Sequence, residues 1–162
     1  MKYLVLLISI LLTNVNDNYC TCPALGNTEK ETANEFNNSE LVLIGEVTRV
    51  NSKDFKYEFI VCEVFKGDLK ENMKLEGVNP RTCNPIVDEN GQWLLFGELT
   101  EKNKFVHNDC GLTNSLIKPW KNLPMTLSPR SQKTHKEKIK TWKDETLKIT
   151  DKQLELLRKL EN

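Results

Sequence analysis

The run Leu41-Val42-Leu43-Ile44 is apolar at every position before Gly45-Glu46-Val47-Thr48-Arg49-Val50 begins to alternate. That pattern predicts a strand over 41–50 whose start is buried on both faces. Asn51-Ser52-Lys53-Asp54 is a turn signal, and a second β-rich run over 57–65 ends at Lys66-Gly67-Asp68. A shorter strand is expected over 73–78, broken by Asn79-Pro80-Arg81 before Cys83. Asn90-Gly91 marks the next turn, followed by strands at 93–96 and 104–107. Five strands at such short spacing predict a mainly β protein, a five-stranded, OB-fold-like closed barrel. Residues 28–37 are helix-compatible, with Ala33 and Phe36 one turn apart, and place a short helix before the first strand. Beyond Cys110 the prolines Pro119, Pro124 and Pro129 punctuate a loop, and two helices are expected over 130–145 and 151–160. In the second, Leu154, Leu157 and Leu160 recur at one-turn spacing, as a stripe packing on the barrel would.

Upstream of this pattern, Met1-Lys2-Tyr3 precedes an unbroken apolar run from Leu4 to Leu12, the length of a secretory leader and too short to span a bilayer. Residues 1–19 are therefore read as a signal peptide and the mature chain as secreted and extracellular. What remains, about 140 residues, suits one domain with one core. Lys and Arg number 23 and so do Asp and Glu, so global charge offers no argument for nucleic acid as partner. The lysines crowding 118–159 form a solvated helix face on this reading. No membrane span is expected, and the protein is read as a monomer.

Five cysteines in a short secreted chain imply a disulfide framework with one thiol left over. Each choice of the odd cysteine leaves three connectivities, so fifteen schemes are open. Cys62, between Val61 and Glu63, is expected to be a buried inert thiol, since His107 and His135 sit in no recognisable catalytic motif. Two histidines and bridged cysteines also supply too few ligands for a metal site within the chain, so no cofactor is expected and the protein is not read as an enzyme. Asn37-Asn38-Ser39 is a glycosylation sequon with Asn37 as acceptor. Trp93, Trp120 and Trp142 are read as packing residues.

Cys20-Thr21-Cys22-Pro23 is the most informative stretch. Residues two apart in an extended segment point to one face, so Cys20 and Cys22 can each bridge to a different partner on an underlying barrel. From here the chain resembles the N-terminal, netrin-like domain of the tissue inhibitors of metalloproteinases. Members of that family begin Cys-Thr-Cys, as at Cys20-Thr21-Cys22. The family's Ala-Phe-Cys-Asn-Ser-Asp-Leu-Val has its counterpart in Glu35-Phe36-Asn37-Asn38-Ser39-Glu40-Leu41-Val42, and its tyrosine strand ending Phe-Lys-Gly in 57–67. Cys83, Cys110 and Pro119-Trp120-Lys121-Asn122-Leu123 match its later cysteines and Pro-Trp-x-x-Leu signature. The likeness covers 20–132, and the Lys-rich helical extension 133–162 stands where the family carries a second, cysteine-rich domain.

The resemblance implies bridges Cys20–Cys83 and Cys22–Cys110 with Cys62 free. The family's third bridge is missing, with Asn37 at one of its positions and no cysteine after Cys110. It further implies an inhibitor of secreted zinc metalloendopeptidases. The zinc belongs to the partner protease, and the mature N-terminal Cys20 chelates it through its backbone amine and carbonyl. Thr21 then enters the adjacent specificity pocket, while Cys22, Pro23, Thr82 and Cys83 complete the edge; extracellular matrix is a further partner. A leader cut earlier, near Thr13 or Val15, would leave the Cys20 nitrogen an amide, and Asp17, Asn18 and Tyr19 are not the small residues a signal peptidase prefers. The other reading is a non-inhibitory netrin-like binding module for a matrix or signalling partner.

Overall fold

The computed structural model describes Cys20 and residues 22–80, 83–123 and 134–161. The expected leader 1–19, the site residues Thr21 and Thr82, and the boundary between domain and extension at 132 lie outside the described residues.

The five expected strands are present: β1 (Leu41–Asn51), β2 (Lys56–Lys66), β3 (Lys74–Val78), β4 (Gly91–Leu99) and β5 (Lys104–His107). They run in the order β1-β2-β3-β5-β4, and β4 pairs back onto β1, which closes the barrel. Neighbours are antiparallel except β3 and β5, which are parallel with Gly77 opposite Phe105. A sixth strand that the hydrophobic pattern does not announce, β6 (Asn114–Ser115), adds to β4 opposite Trp93 and Leu94.

The period of two along each strand sorts side chains into two cores. Leu41, Leu43, Val47, Tyr57, Phe59, Trp93, Leu95 and Phe105 fill the barrel, while Val42, Ile44, Leu94 and Phe96 point outward into a second cluster closed by Leu112, Leu123 and Leu157. Strands β1 and β4 are apolar on both faces because both faces are covered. Each large side chain withdrawn from water here contributes about 1.5–3 kcal/mol. Gly77 is needed inside the barrel, since a Cβ there would overlap the Tyr57 ring.

Helix α1 (Thr28–Asn38) starts where the Asn27 side chain accepts from Lys30 N–H at 3.0 Å, with Glu29 and Glu31 in the first turn. Its last carbonyls are met by the Lys66 ammonium at the end of β2, 2.7 Å from Phe36 O and 3.1 Å from Asn37 O. At the other end of the chain the two expected helices are one, α2 (His135–Leu160), opened by a Thr134–Glu137 capping box. The β-branched residues Thr146 and Thr150 do not interrupt it. Both are buried, and their hydroxyls donate to carbonyls one turn back, Trp142 O at 3.1 Å and Thr146 O at 3.1 Å. The fully buried face reads Thr146, Thr150, Gln153, Leu157; of the expected leucine stripe Leu157 and the half-buried Leu154 pack on the outer cluster, whereas Leu160 is 47% exposed. Among the described residues no helix is long and apolar enough to cross a membrane.

Candidate inhibitory edge

Cys20 and residues 22–27 belong to no strand or helix, and Pro23 and Ala24 are exposed. What holds it is covalent. Cys20 is bonded to Cys83, with Cα atoms 5.2 Å apart, and Cys22 to Cys110, with Cα atoms 5.1 Å apart. This is the pairing the resemblance implies, and Cys62 is free and half-buried rather than fully buried, its sulfur 3.6 Å from Ile60 O. Sequence separations of 63 and 88 residues make each bridge worth roughly 4 kcal/mol in chain entropy.

The two bridges converge. The Cys20 and Cys110 sulfurs are 3.6 Å apart, and the Cys22 sulfur lies 3.8 Å from Asn84 O; with no thiol hydrogen left in either bridge these are packing contacts. Cys20, Cys83 and Cys110 sulfurs all lie within 4.8 Å of one another, the spacing of a thiolate metal site. Oxidised sulfur is not a thiolate, so the cluster is a staple and not a ligand set.

Two loops carry the anchoring cysteines. Cys83 follows β3 and precedes the cis Asn84-Pro85 peptide, and Cys110 follows β5 in the left-handed region with φ 55°. Cys110 N–H donates to Asn84 O at 2.8 Å, joining the loops directly. Beneath them, His107 is 2% exposed, its Nε2 2.7 Å from Pro85 O and its Nδ1 3.4 Å from the Tyr57 hydroxyl. A carbonyl only accepts, so Nε2 carries the proton and Nδ1 receives the Tyr57 hydroxyl's. Burial holds His107 below the ordinary imidazole range, against the Pro85 hydrogen bond and the Asp109 charge, and burial also keeps the Tyr57 phenol protonated. Further along the Cys83 loop, the Asn79 amide exchanges two hydrogen bonds with the Val87 backbone, at 2.9 and 2.8 Å. Lys118, 2.7 Å from Glu89, and Lys121 hold the Glu89 carboxyl below its usual range despite partial burial.

Of the expected edge residues, Cys20, Cys22, Pro23 and Cys83 are thus brought together, whereas Thr21 and Thr82 lie outside the described residues. Asn37 is exposed in the last turn of α1, while Ser39 of its sequon is buried, its hydroxyl donating to Glu35 O at 2.8 Å. Sequence reading missed the clamp of His107, Tyr57 and Asn79. A histidine inside the apolar alternation of β5 was the one available signal. No protein-family model matches this chain, and no curated protein matches it.

Proposed function

We propose that this protein is a secreted inhibitor of zinc endopeptidases that acts through a free amine at Cys20. The observation that carries the reading is the double staple: the half-buried Cys20 and Cys22, two residues apart, are bonded to two different loops that are themselves hydrogen-bonded together. An edge held this way loses little conformational entropy when it is bound.

The chemistry follows from the protease side. A catalytic zinc keeps three protein ligands and one open position occupied by water. An α-amino group ordinarily titrates at about 7.7 to 8.0, so modest stabilisation of its neutral form by the metal leaves a lone pair for coordination. Cys20 would offer that nitrogen and its own carbonyl oxygen as a chelate, its sulfur already engaged with Cys83. Thr21 would fill the neighbouring specificity pocket, with Pro23, Cys83 and Thr82 extending the contact. The zinc stays the protease's own, and the inhibitor catalyses nothing and needs no cofactor.

The test is the N-terminus. Mass measurement of secreted material should find Cys20 first. Adding one alanine before it should abolish inhibition of a zinc endopeptidase panel while leaving the melting temperature unchanged, because an amide nitrogen has no lone pair to give. Inhibition by the alanine-extended protein would sink the mechanism. Thr21→Gly should weaken inhibition far more than it lowers thermal stability. If the natural chain starts upstream of Cys20 and inhibits nothing, the binding-module reading takes its place.

A further inference from the structure

Four of the five cysteines meet at one place. The Cys20, Cys83 and Cys110 sulfurs lie within 4.8 Å of one another, and Cys22 adjoins them through its bond to Cys110. All four residues are half-buried, within reach of a small reductant or ion. Cys20 and Cys110 share no bond, and their sulfurs are 3.6 Å apart. In a zinc tetrathiolate each Zn–S bond is about 2.3 Å, which sets neighbouring sulfurs of the tetrahedron about 3.8 Å apart. One edge of that tetrahedron is therefore already at its spacing, and only the bonded pairs have to part.

The loops that carry Cys83 and Cys110 are positioned by more than the bridges. Cys110 N–H donates to Asn84 O at 2.8 Å, His107 Nε2 is 2.7 Å from Pro85 O, and the Asn79 amide holds the Val87 backbone at 2.9 and 2.8 Å. Reduction breaks none of these bonds. It frees only Cys20 and Cys22, on a segment with no strand or helix of its own, to turn about a shared ion.

We propose that, once its bridges are reduced, this chain binds one zinc ion through the Cys20, Cys83 and Cys110 sulfurs, with Cys22 completing the tetrahedron. A reductant gives each bridge two electrons and two protons, leaving four thiols. Zinc then displaces the four thiol protons and is held by four thiolates. The same cysteines so have two states, a staple where disulfides persist and a zinc site where thiols stay reduced. Neither the Cys20 amine nor Thr21 takes part, so the zinc site stands or falls apart from protease inhibition.

The experiment reduces the full chain with a water-soluble phosphine, which ends as the phosphine oxide by taking oxygen from water, and titrates it with zinc chloride in the absence of air. Native mass spectrometry should count one zinc per chain. The urea midpoint of the reduced chain should rise with zinc, because a site assembled by the barrel loops binds the folded state. Cys62→Ser should still take up one zinc. Cys83→Ser should lose its zinc to a chelator at a concentration that leaves the Cys62→Ser protein loaded. The bridged chain, its sulfurs oxidised, should take up none at equimolar zinc. No uptake by the reduced chain, uptake without a rise in the urea midpoint, which is capture by the unfolded chain, equal retention by Cys83→Ser, or equal uptake by the bridged chain would each overturn the proposal.

Discussion

The two ends of the chain are held to the same barrel by opposite means. The segment at Cys20 and Cys22 has two covalent bonds and no backbone ladder. Helix α2 has no covalent tie and rests on Leu157, a row of buried threonines, and the Asn114–Thr150–Gln153 contact. A covalent staple acts mainly by restricting the unfolded chain, so it does not need to bury the backbone it holds. Packing works only by burying what it holds. An edge meant for contact is better served by the first device, a covering helix by the second.

The largest effect expected is at the staples. Replacing Cys22 and Cys110 together by serine should remove about 4 kcal/mol of unfolding free energy, read from urea denaturation with the m-value fitted for each protein. Loss of much less would mean that the loops hold the segment without the bond. Next comes the helix. Leu157 is fully buried, and Leu157→Ala should cost about 3 kcal/mol by leaving a cavity under α2. A cost below about 1 kcal/mol would show that α2 is not integral to the outer core.

A third test concerns the non-covalent part of the edge. His107 is held below its ordinary range in the folded chain, so between that lowered value and the unfolded value of about 6.5 the unfolded state binds more protons. Stability should therefore fall as pH drops below about 6.5 and stop falling once the folded imidazole is itself protonated. His107→Gln should flatten that part of the profile when urea midpoints are compared at about pH 7.5 and about pH 5.5. Parallel profiles for the two proteins would remove His107 as the cause. The smallest effect belongs to Gln153, fully buried with its Nε2 unpartnered. Asn114 keeps its 2.7 Å bond to Leu112 O without it, so Gln153→Leu should change stability by less than about 1 kcal/mol in a thermal melt. A larger loss would show that the polar seam under α2 is cooperative.

Much of the barrel was legible because strand periodicity is local. The alternation after Gly45, the turn at Asn90-Gly91 and the aromatic runs each carry their own signal, and α1 begins at the expected residue. The C-terminal region was read less well. The β-branched Thr146 and Thr150 argue for a break between two helices, yet burial of that face against the barrel overrides the propensity, with the hydroxyls satisfied by carbonyls one turn back. Strand β6 is two polar residues long and exists only because β4 offers it a ladder. Of the leucine stripe, Leu157 is buried and Leu154 packs half-buried against the outer cluster, while Leu160 is exposed.

By itself, then, the sequence determined which five segments form the barrel strands, that an alternate-cysteine segment would need two partners, and that one thiol would be left over. All of these follow from short-range pattern and from counting. Tertiary structure decided which partners those were among fifteen schemes, that β1 and β4 are covered on both faces, that α2 is continuous, and that His107 sits beneath the Pro85 carbonyl. All but the helix join residues far apart in the chain, where spacing carries no information until the barrel has closed and set the distances.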